Sequence, residues 1–168
     1  PALAELDQPY RVPIGWHWVR FDAVLDFNGG SQPPKSQFSP LPLEGYVQLI
    51  QIRDLGPRPE PVYVPSDSVS KFCTEDDVMI GRYGASVGKV FWGKNGAYNV
   101  ALIKLDNRKG AYNARFLYFL MQSPLGQGLF AGNSRSAQAG FNKGDIGIQP
   151  VILPPPAEQH RIVAKVDE

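Results

Sequence analysis

Residues 76–105 read DDVMIGRYGASVGKVFWGKNGAYNVALIKL, and this stretch decides the fold. It contains three short apolar runs, at 77–81, 88–92 and 98–105, which are separated by turns that contain glycine. Apolar and β-branched residues bounded by such turns are typical of strands. A spacing of about ten residues between them predicts an antiparallel meander or a strongly curved sheet.

The residues before this stretch add two more strands. Residues 16–21 predict a strand, or a strand that runs into one helical turn. The glycines and prolines of 29–34 then begin a long loop that reaches Gly45. Residues 46–52 form the clearest strand in the chain, and the three prolines within 56–61 predict a loop after it.

The residues after it predict helices, a loop and a last strand. Asn113 is expected to cap a helix over 114–121, which ends at Ser123-Pro124 and turns Phe116, Phe119 and Leu120 towards the core. The small residues of 126–140 predict a loop. Beyond it we expect a short helical turn capped by Asn142, a strand over 148–153 and a helix over 157–166.

Together these elements predict a mixed α/β fold of the α+β class, with a strongly twisted, curved and mostly antiparallel sheet and a few short helices. A length of 168 residues suits one domain with a core of its own. No apolar run approaches the roughly 18 to 20 residues of a membrane helix, so we expect no membrane association. Cys73 is the single cysteine, which fits a cytoplasmic protein.

Charge is distributed unevenly along the chain, although the net charge is only +1. Residues 1–77 contain 6 Lys or Arg against 11 Asp or Glu, whereas residues 78–144 contain 9 against the single Asp106. Residues 145–168 contain 2 against 4. A basic block favours binding of a polyanion, because neutralised phosphates release condensed counterions. Solvated lysines on unrelated faces remain the simpler interpretation of the charge alone.

The motifs of catalysis are largely missing. His17, His160 and Cys73 are not at metal-ligand spacing, so no zinc site is expected. Residues 84–88, GASVG, satisfy the G-x-S-x-G pattern, but a strand-like run follows Ser86 where a nucleophile elbow requires a helix. Neither a dinucleotide-binding nor a P-loop glycine motif is present. We therefore expect a binding protein with no catalytic residues, metal or cofactor of its own.

Several loops carry the side chains that DNA recognition needs. Lys and Arg contact phosphates, and Arg, Lys, Asn, Gln and Ser contact base edges. The segment 133–143 is favoured most, because it is long, basic and rich in small residues. The candidate DNA-binding residues are Ser31, Gln32, Lys35, Gln51, Arg53, Arg82, Tyr83, Ser86, Lys89, Ser134, Arg135, Ser136, Gln138, Asn142 and Lys143.

An ordered set of motifs resembles the target-recognition domain of type I restriction–modification specificity subunits. Residues 152–163, ILPPPAEQHRIV, are similar to that family's LPPLxEQxRIV junction. Residues 76–89 resemble its GDVLIxRxGxxVGK core. Further resemblances lie at 13–21 (PIGWHWVRF), 96–102 (GAYNVAL), 113–123 (NARFLYFLMQS) and 136–146 (SAQAGFNKGDI). The chain departs from the family pattern at Ile14, Asp76, Ala137 and Pro156.

The resemblance implies a recognition domain over 1–155, followed at 156–168 by the start of a conserved spacer helix. Each specificity subunit of the family has two such domains, and each reads one half of a split double-stranded DNA target. The residues at both ends look more like the first domain than the second. Methyltransferase and restriction subunits are the implied protein partners, and they carry S-adenosylmethionine, ATP and magnesium.

Three other interpretations remain open. The chain could be the recognition domain of a related single-chain restriction–methylation enzyme, with the same fold and no chemistry. It could be a carbohydrate-binding or small-ligand module that uses Trp16, Trp18 and Trp92 as stacking platforms. It could also be a hydrolase with Ser86 as its nucleophile, which the sequence disfavours.

Overall fold

The computed structural model describes residues 2–4, 7–131 and 141–168. Within them the chain forms short strands and helices, together with single turns of 3-10 helix. The strands are β1 (His17–Arg20), β2 (Leu25–Gly29), β3 (Tyr46–Ile50), β4 (Tyr63–Pro65), β5 (Phe72–Cys73), β6 (Val78–Gly81), β7 (Val90–Trp92), β8 (Gly96–Tyr98), β9 (Leu102–Asn107) and β10 (Pro150–Leu153). The helices are α1 (Phe21–Val24), α2 (Ala114–Gln122), α3 (Pro124–Ala131), α4 (Lys143–Gly147) and α5 (Pro156–Val166).

The chain divides into two compact units. The continuous unit is Phe27–Leu105, and the discontinuous unit combines Pro1–Asp26 with Asp106–Glu168. Each unit buries apolar side chains of its own, which is the main favourable term in folding.

Two four-stranded sheets build the continuous unit. One has the strand order β2-β9-β6-β7 and the other β4-β3-β8-β5. The pairs β3–β4, β5–β8, β6–β7 and β6–β9 are antiparallel, and β3 pairs with β8 in parallel. One core cluster is formed by Ile50, Cys73, Met79, Tyr98 and Leu102. The mostly antiparallel α+β fold predicted from the sequence is thereby confirmed.

The predicted strand over 98–105 is in fact two strands in different sheets. β8 pairs with β3 and β5, whereas β9 pairs with β6. Asn99 makes the break, because its side-chain oxygen accepts a hydrogen bond from Ala101 N (3.1 Å) and its carbonyl accepts one from Leu102 N (3.2 Å). An Asn side chain that bonds the backbone two residues on closes a turn. The strands of 76–105 therefore do not form a simple meander.

The discontinuous unit is built on the antiparallel pair β1 and β10, in which Val19 lies opposite Val151. Phe21 begins α1 directly after β1, as the second of the two interpretations of 16–21 predicted. Asn113 caps α2 through Arg115 N (3.0 Å) and Phe116 N (3.1 Å), which confirms the predicted cap. Phe116 and Leu120 are buried, as expected, whereas Phe119 is only half-buried.

The prediction of a loop over 126–140 is wrong for its first part, because α3 continues to Ala131. Leu129 and Phe130 are buried and supply the apolar face of this helix. A Cβ at position 126 would lie 2.3 Å from Leu120 O, so Gly126 allows α3 to start close against α2. Gly126 therefore serves packing. Residues 132–140 lie outside the described part of the chain.

No helix among the described residues is long and apolar enough to cross a membrane. Within the same residues, no three His, Cys, Asp or Glu side chains come together in a way that could hold a metal ion.

Candidate nucleic-acid interface

A cavity of about 340 Å³ in the continuous unit brings several of the predicted residues together. Its lining includes Arg53, Ser86 and Lys89, all predicted from the sequence, and Arg58, which was not. We call it the basic cavity. Its remaining lining residues are Ile52, Gly56, Pro57 and Phe91.

One wall of the basic cavity is the segment 51–60, which we call loop 51–60. Asp54 is fully buried, and its carboxylate accepts hydrogen bonds from Gln51 N (2.9 Å) and Glu60 N (3.0 Å). The backbone carbonyl of Asp54 also accepts a hydrogen bond from the ammonium group of Lys94. One side chain therefore closes the loop at both ends, which fixes the backbone that carries Arg53 and Arg58.

The other wall is the hairpin turn between β6 and β7. Gly81 N donates to Lys89 O (2.9 Å) and Gly88 N donates to Gly81 O (3.0 Å). A Cβ at position 81 would lie 2.1 Å from Ser86 O, so only glycine allows the turn to fold back this closely. This close turn presents Ser86 and the exposed Lys89 at the cavity.

Arg58 is the functional candidate that sequence reasoning missed. It is exposed, and no acidic partner for it exists among the described residues. Arg53, by contrast, pairs with Glu60 at 3.2 Å, although both side chains are largely exposed and such pairs contribute little. The sequence pattern that could have identified Arg58 is Pro57-Arg58-Pro59, in which one cationic residue lies between two prolines that restrict the backbone.

Arg82 lies beside the hairpin turn and is held by two neighbours. Its guanidinium carbon is 5.2 Å from the centre of the Tyr83 ring, a cation–π arrangement. A Cβ at position 29 would lie only 2.7 Å from Arg82 Nη1, so the guanidinium occupies the space that Gly29 leaves free. Arg82 and Tyr83 are both half-buried.

The other predicted residues of the continuous unit do not line the basic cavity. The Ser31 hydroxyl oxygen is buried and has no hydrogen-bond partner among the described residues, so it does not face solvent. Gln32 and Lys35 are exposed on the segment that follows β2. Gln51 precedes the 3-10 helix of loop 51–60, and its backbone N–H donates to the Asp54 carboxylate (2.9 Å), so its backbone has a structural role.

The predicted residues of the discontinuous unit also have structural roles where they are described. Asn142 caps α4, as predicted, by accepting hydrogen bonds from Gly144 N (2.8 Å) and Asp145 N (3.3 Å). Lys143 lies 3.1 Å from the Asp26 carboxylate. Ser134, Arg135, Ser136 and Gln138 lie outside the described residues, so their assignment stays a prediction.

Most of the described basic residues of 78–144 have carboxylate or carbonyl partners within the structure. Arg108, Arg115 and Lys143 pair with carboxylates, and Lys94 and Lys104 donate to backbone carbonyls. Of the block's described basic residues, this leaves Arg82, Lys89 and Lys109 without an acidic or carbonyl partner. Of these three, Lys89 lines the basic cavity, and Arg82 belongs to the adjoining hairpin turn.

The structure disfavours Trp18 as a stacking platform and Ser86 as a hydrolase nucleophile. Trp18 is completely buried, and its indole N–H donates to Tyr10 O at 2.8 Å, so it belongs to the core. Ser86 ends a 3-10 turn that leads into strand β7 instead of a helix. Burial raises the pKa of the Cys73 thiol, which disfavours a thiolate nucleophile at that position.

The family model for the type I restriction modification DNA specificity domain matches residues 13–168. The chain belongs to this family. The specificity subunit of the type I restriction enzyme MjaVIII from Methanocaldococcus jannaschii is 23% identical over 112 residues. That match covers 67% of this chain and 26% of the relative.

Solved structures agree with the family. A chain of a type I R-M system, solved in work on complex assembly and conformational transition, superposes with a TM-score of 0.75 at 25% identity. The HsdS subunit from Thermoanaerobacter tengcongensis shares the fold, with a TM-score of 0.71 at 23% identity. Both matches cover 96% of this chain but only 40% and 39% of theirs.

The chain thus spans about a quarter of the curated relative and two fifths of the solved chains that it matches. The resemblance drawn from the sequence motifs is confirmed. The family is one of specificity domains, in agreement with the expectation of a recognition role without catalysis.

Proposed function

We propose that this specificity domain binds double-stranded DNA at the basic cavity and reads one half of a bipartite target. The observation that supports this most directly is the juxtaposition of Arg53, Arg58 and Lys89 around one cavity. Two of these cations, Arg58 and Lys89, have no acidic partner within the described residues. A phosphate backbone supplies the missing negative charge.

The physical basis is electrostatic attraction combined with contacts from side chains that a fixed backbone carries. Each cation that neutralises a phosphate releases a counterion, so affinity falls as salt concentration rises. Phosphate contacts fix the position of the duplex, and contacts to base edges distinguish sequences. The cavity walls are held by internal hydrogen bonds, so little backbone freedom is lost on binding.

The same proposal assigns the chain to a larger assembly in the cytoplasm. As part of a specificity subunit it directs methylation and restriction, which methyltransferase and restriction subunits perform. S-adenosylmethionine, ATP and magnesium bind to those subunits, and this chain contributes recognition only. The likeness to a chain of a type I R-M system, solved in work on its complex assembly, supports this assignment.

Fluorescence anisotropy on a mixed-sequence duplex across a salt series tests the proposal. We expect log affinity to fall linearly with log salt concentration. Lys89→Gln should reduce the magnitude of that slope by about 1, because one phosphate contact is lost.

Lys71→Gln is the matched control, because Lys71 is exposed in the same unit but does not line the cavity. It should leave the slope unchanged. Binding that is insensitive to salt, or equal effects of the two variants, would contradict the proposal.

A further inference from the structure

We infer that the two walls of the basic cavity have different tasks: Arg58 reads a guanine base, and Lys89 contacts phosphate. This inference rests on the proposed function and adds the division of labour within its site. It follows from the chemistry of the two side chains and from the few backbone N–H donors at the tip of loop 51–60.

Loop 51–60 offers almost no backbone donors at its tip. Pro57, Pro59 and Pro61 have no N–H group, and the N–H groups of Gly56 and Glu60 donate to Arg53 O (3.2 Å) and the Asp54 carboxylate (3.0 Å). Backbone cradles for phosphate consist of several successive free N–H groups. The tip of this loop is therefore a poor phosphate cradle, and it presents a guanidinium group instead.

The position of Arg58 suits a base reader. Proline fixes φ on both sides of it, and the Asp54 carboxylate holds Gln51 and Glu60 together at the ends of the loop. Arg58 is exposed, and its planar guanidinium group extends from a backbone of fixed conformation. Two parallel donors match the O6 and N7 acceptors of guanine at the major-groove edge.

Lys89 lies on the wall formed by the hairpin turn, whose cavity-lining residues use their backbone N–H groups within the turn. The N–H groups of residues 86–89 donate to carbonyls within the turn, at 3.0–3.3 Å. This leaves the Lys89 ammonium and the Ser86 hydroxyl as the donors that the turn can offer at the cavity. An ammonium group is a compact point charge without a preferred plane, which suits a phosphate oxygen better than a base edge.

The experiment selects bound duplexes from a pool with randomised base pairs and sequences them, with the wild-type chain, Arg58→Lys and Lys89→Gln. Anisotropy salt series are recorded on the same proteins. Arg58→Lys keeps the positive charge but removes the two parallel N–H donors of the guanidinium group. We therefore expect an unchanged salt slope and a loss of about 10-fold in the preference for guanine at one position. Lys89→Gln should select the same sequences as the wild type with a shallower slope.

Three results would overturn the inference: a selected half-site made of A·T pairs only, unchanged sequence preference in Arg58→Lys, or an altered sequence preference in Lys89→Gln. Arg58→Gln provides a second variant, which should also lose the guanine preference while its slope stays close to that of the wild type. If the wild-type chain binds no DNA at low salt, that result contradicts the proposed function itself. Because Arg58 is exposed and makes no hydrogen bond within the described residues, thermal unfolding should confirm that its variants fold normally.

Discussion

Asp54 carries a buried carboxylate that has no cationic side-chain partner at hydrogen-bond distance among the described residues and is held by backbone N–H groups instead. Such an arrangement is tolerated only where hydrogen bonds replace the lost solvation. Neighbouring Arg53 and the exposed Arg58 depend on it for their position. At the scale of single residues, the buried Asp54 thus fixes the backbone from which the cationic side chains of the basic cavity extend.

Asp54→Ala should lower the free energy of unfolding by about 3 kcal/mol, because two backbone donors lose a charged acceptor. Urea unfolding followed by circular dichroism measures this. Asp67→Ala is the control at an exposed aspartate of the same unit and should change stability by no more than about 0.5 kcal/mol. A loss as small as that of the control would show that loop 51–60 is held by other contacts.

Arg82→Ala should weaken DNA binding without unfolding the domain, because its guanidinium lies beside the hairpin turn. Gly29→Ala should do the same in part, since the added Cβ would displace Nη1 from a position only 2.7 Å away. Anisotropy measures both effects.

The control for this pair is the double variant. If Gly29 acts through Arg82, then Gly29→Ala should have no further effect on DNA affinity in the Arg82→Ala background. Additive losses would assign the two residues independent roles.

At the scale of elements, capping explains why parts of the fold could be predicted. Asn113 and Asn142 were predicted as caps and cap α2 and α4, because an Asn side chain satisfies the free N–H groups of a first turn wherever the helix lies. The division of 98–105 between two sheets could not be predicted, since strand partners depend on tertiary contacts. Arg58 was missed for a similar reason: its value depends on Asp54 and on the hairpin turn opposite.

The start of α5 is fixed by a buried glutamine. Gln159 Nε2 donates to Ala111 O (3.1 Å) and Pro154 O (2.9 Å), and its Oε1 accepts from Asn113 N (2.6 Å). Gln159→Ala should therefore lower the free energy of unfolding by about 2–3 kcal/mol.

Gln122→Ala is the matched control, because Gln122 is exposed on α2 and its loss should be nearly neutral. Thermal unfolding of the two variants separates the outcomes. Equal unfolding temperatures would mean that α5 is held by apolar packing alone.

At the scale of the whole molecule, each unit contains one buried tyrosine that links stability to pH. Burial raises the pKa of Tyr98 in the continuous unit and of Tyr112 in the discontinuous unit well above the usual value of about 10. Their hydroxyl groups donate to Asn28 O (3.0 Å) and Ile152 O (2.6 Å). Both tyrosines keep their protons in the folded state under conditions in which the unfolded chain loses them.

Stability should therefore be constant with respect to these groups below a pH of about 10 and fall as pH rises beyond it. Tyr112→Phe should lose one hydrogen bond at neutral pH. Its free energy of unfolding should fall less steeply at alkaline pH, because the variant lacks one of the two hydroxyl groups whose ionisation is coupled to unfolding. Urea unfolding between about pH 8 and pH 11 measures the slope. Tyr10→Phe changes an exposed ring and should keep the wild-type slope. If the free energy of unfolding falls equally steeply in the wild type and in both variants, Tyr112 is not the group that links stability to pH.

The strands that begin and end the continuous unit, β2 and β9, are hydrogen-bonded neighbours in one sheet. The chain thus starts and finishes this unit at adjacent positions, as an inserted segment does. Recombination between two genes of such proteins needs only two crossovers, one in each strand, to exchange everything between them. Under the proposed function, such an exchange would transfer the DNA preference of the basic cavity as one block, provided that the incoming β2 and β9 still pair.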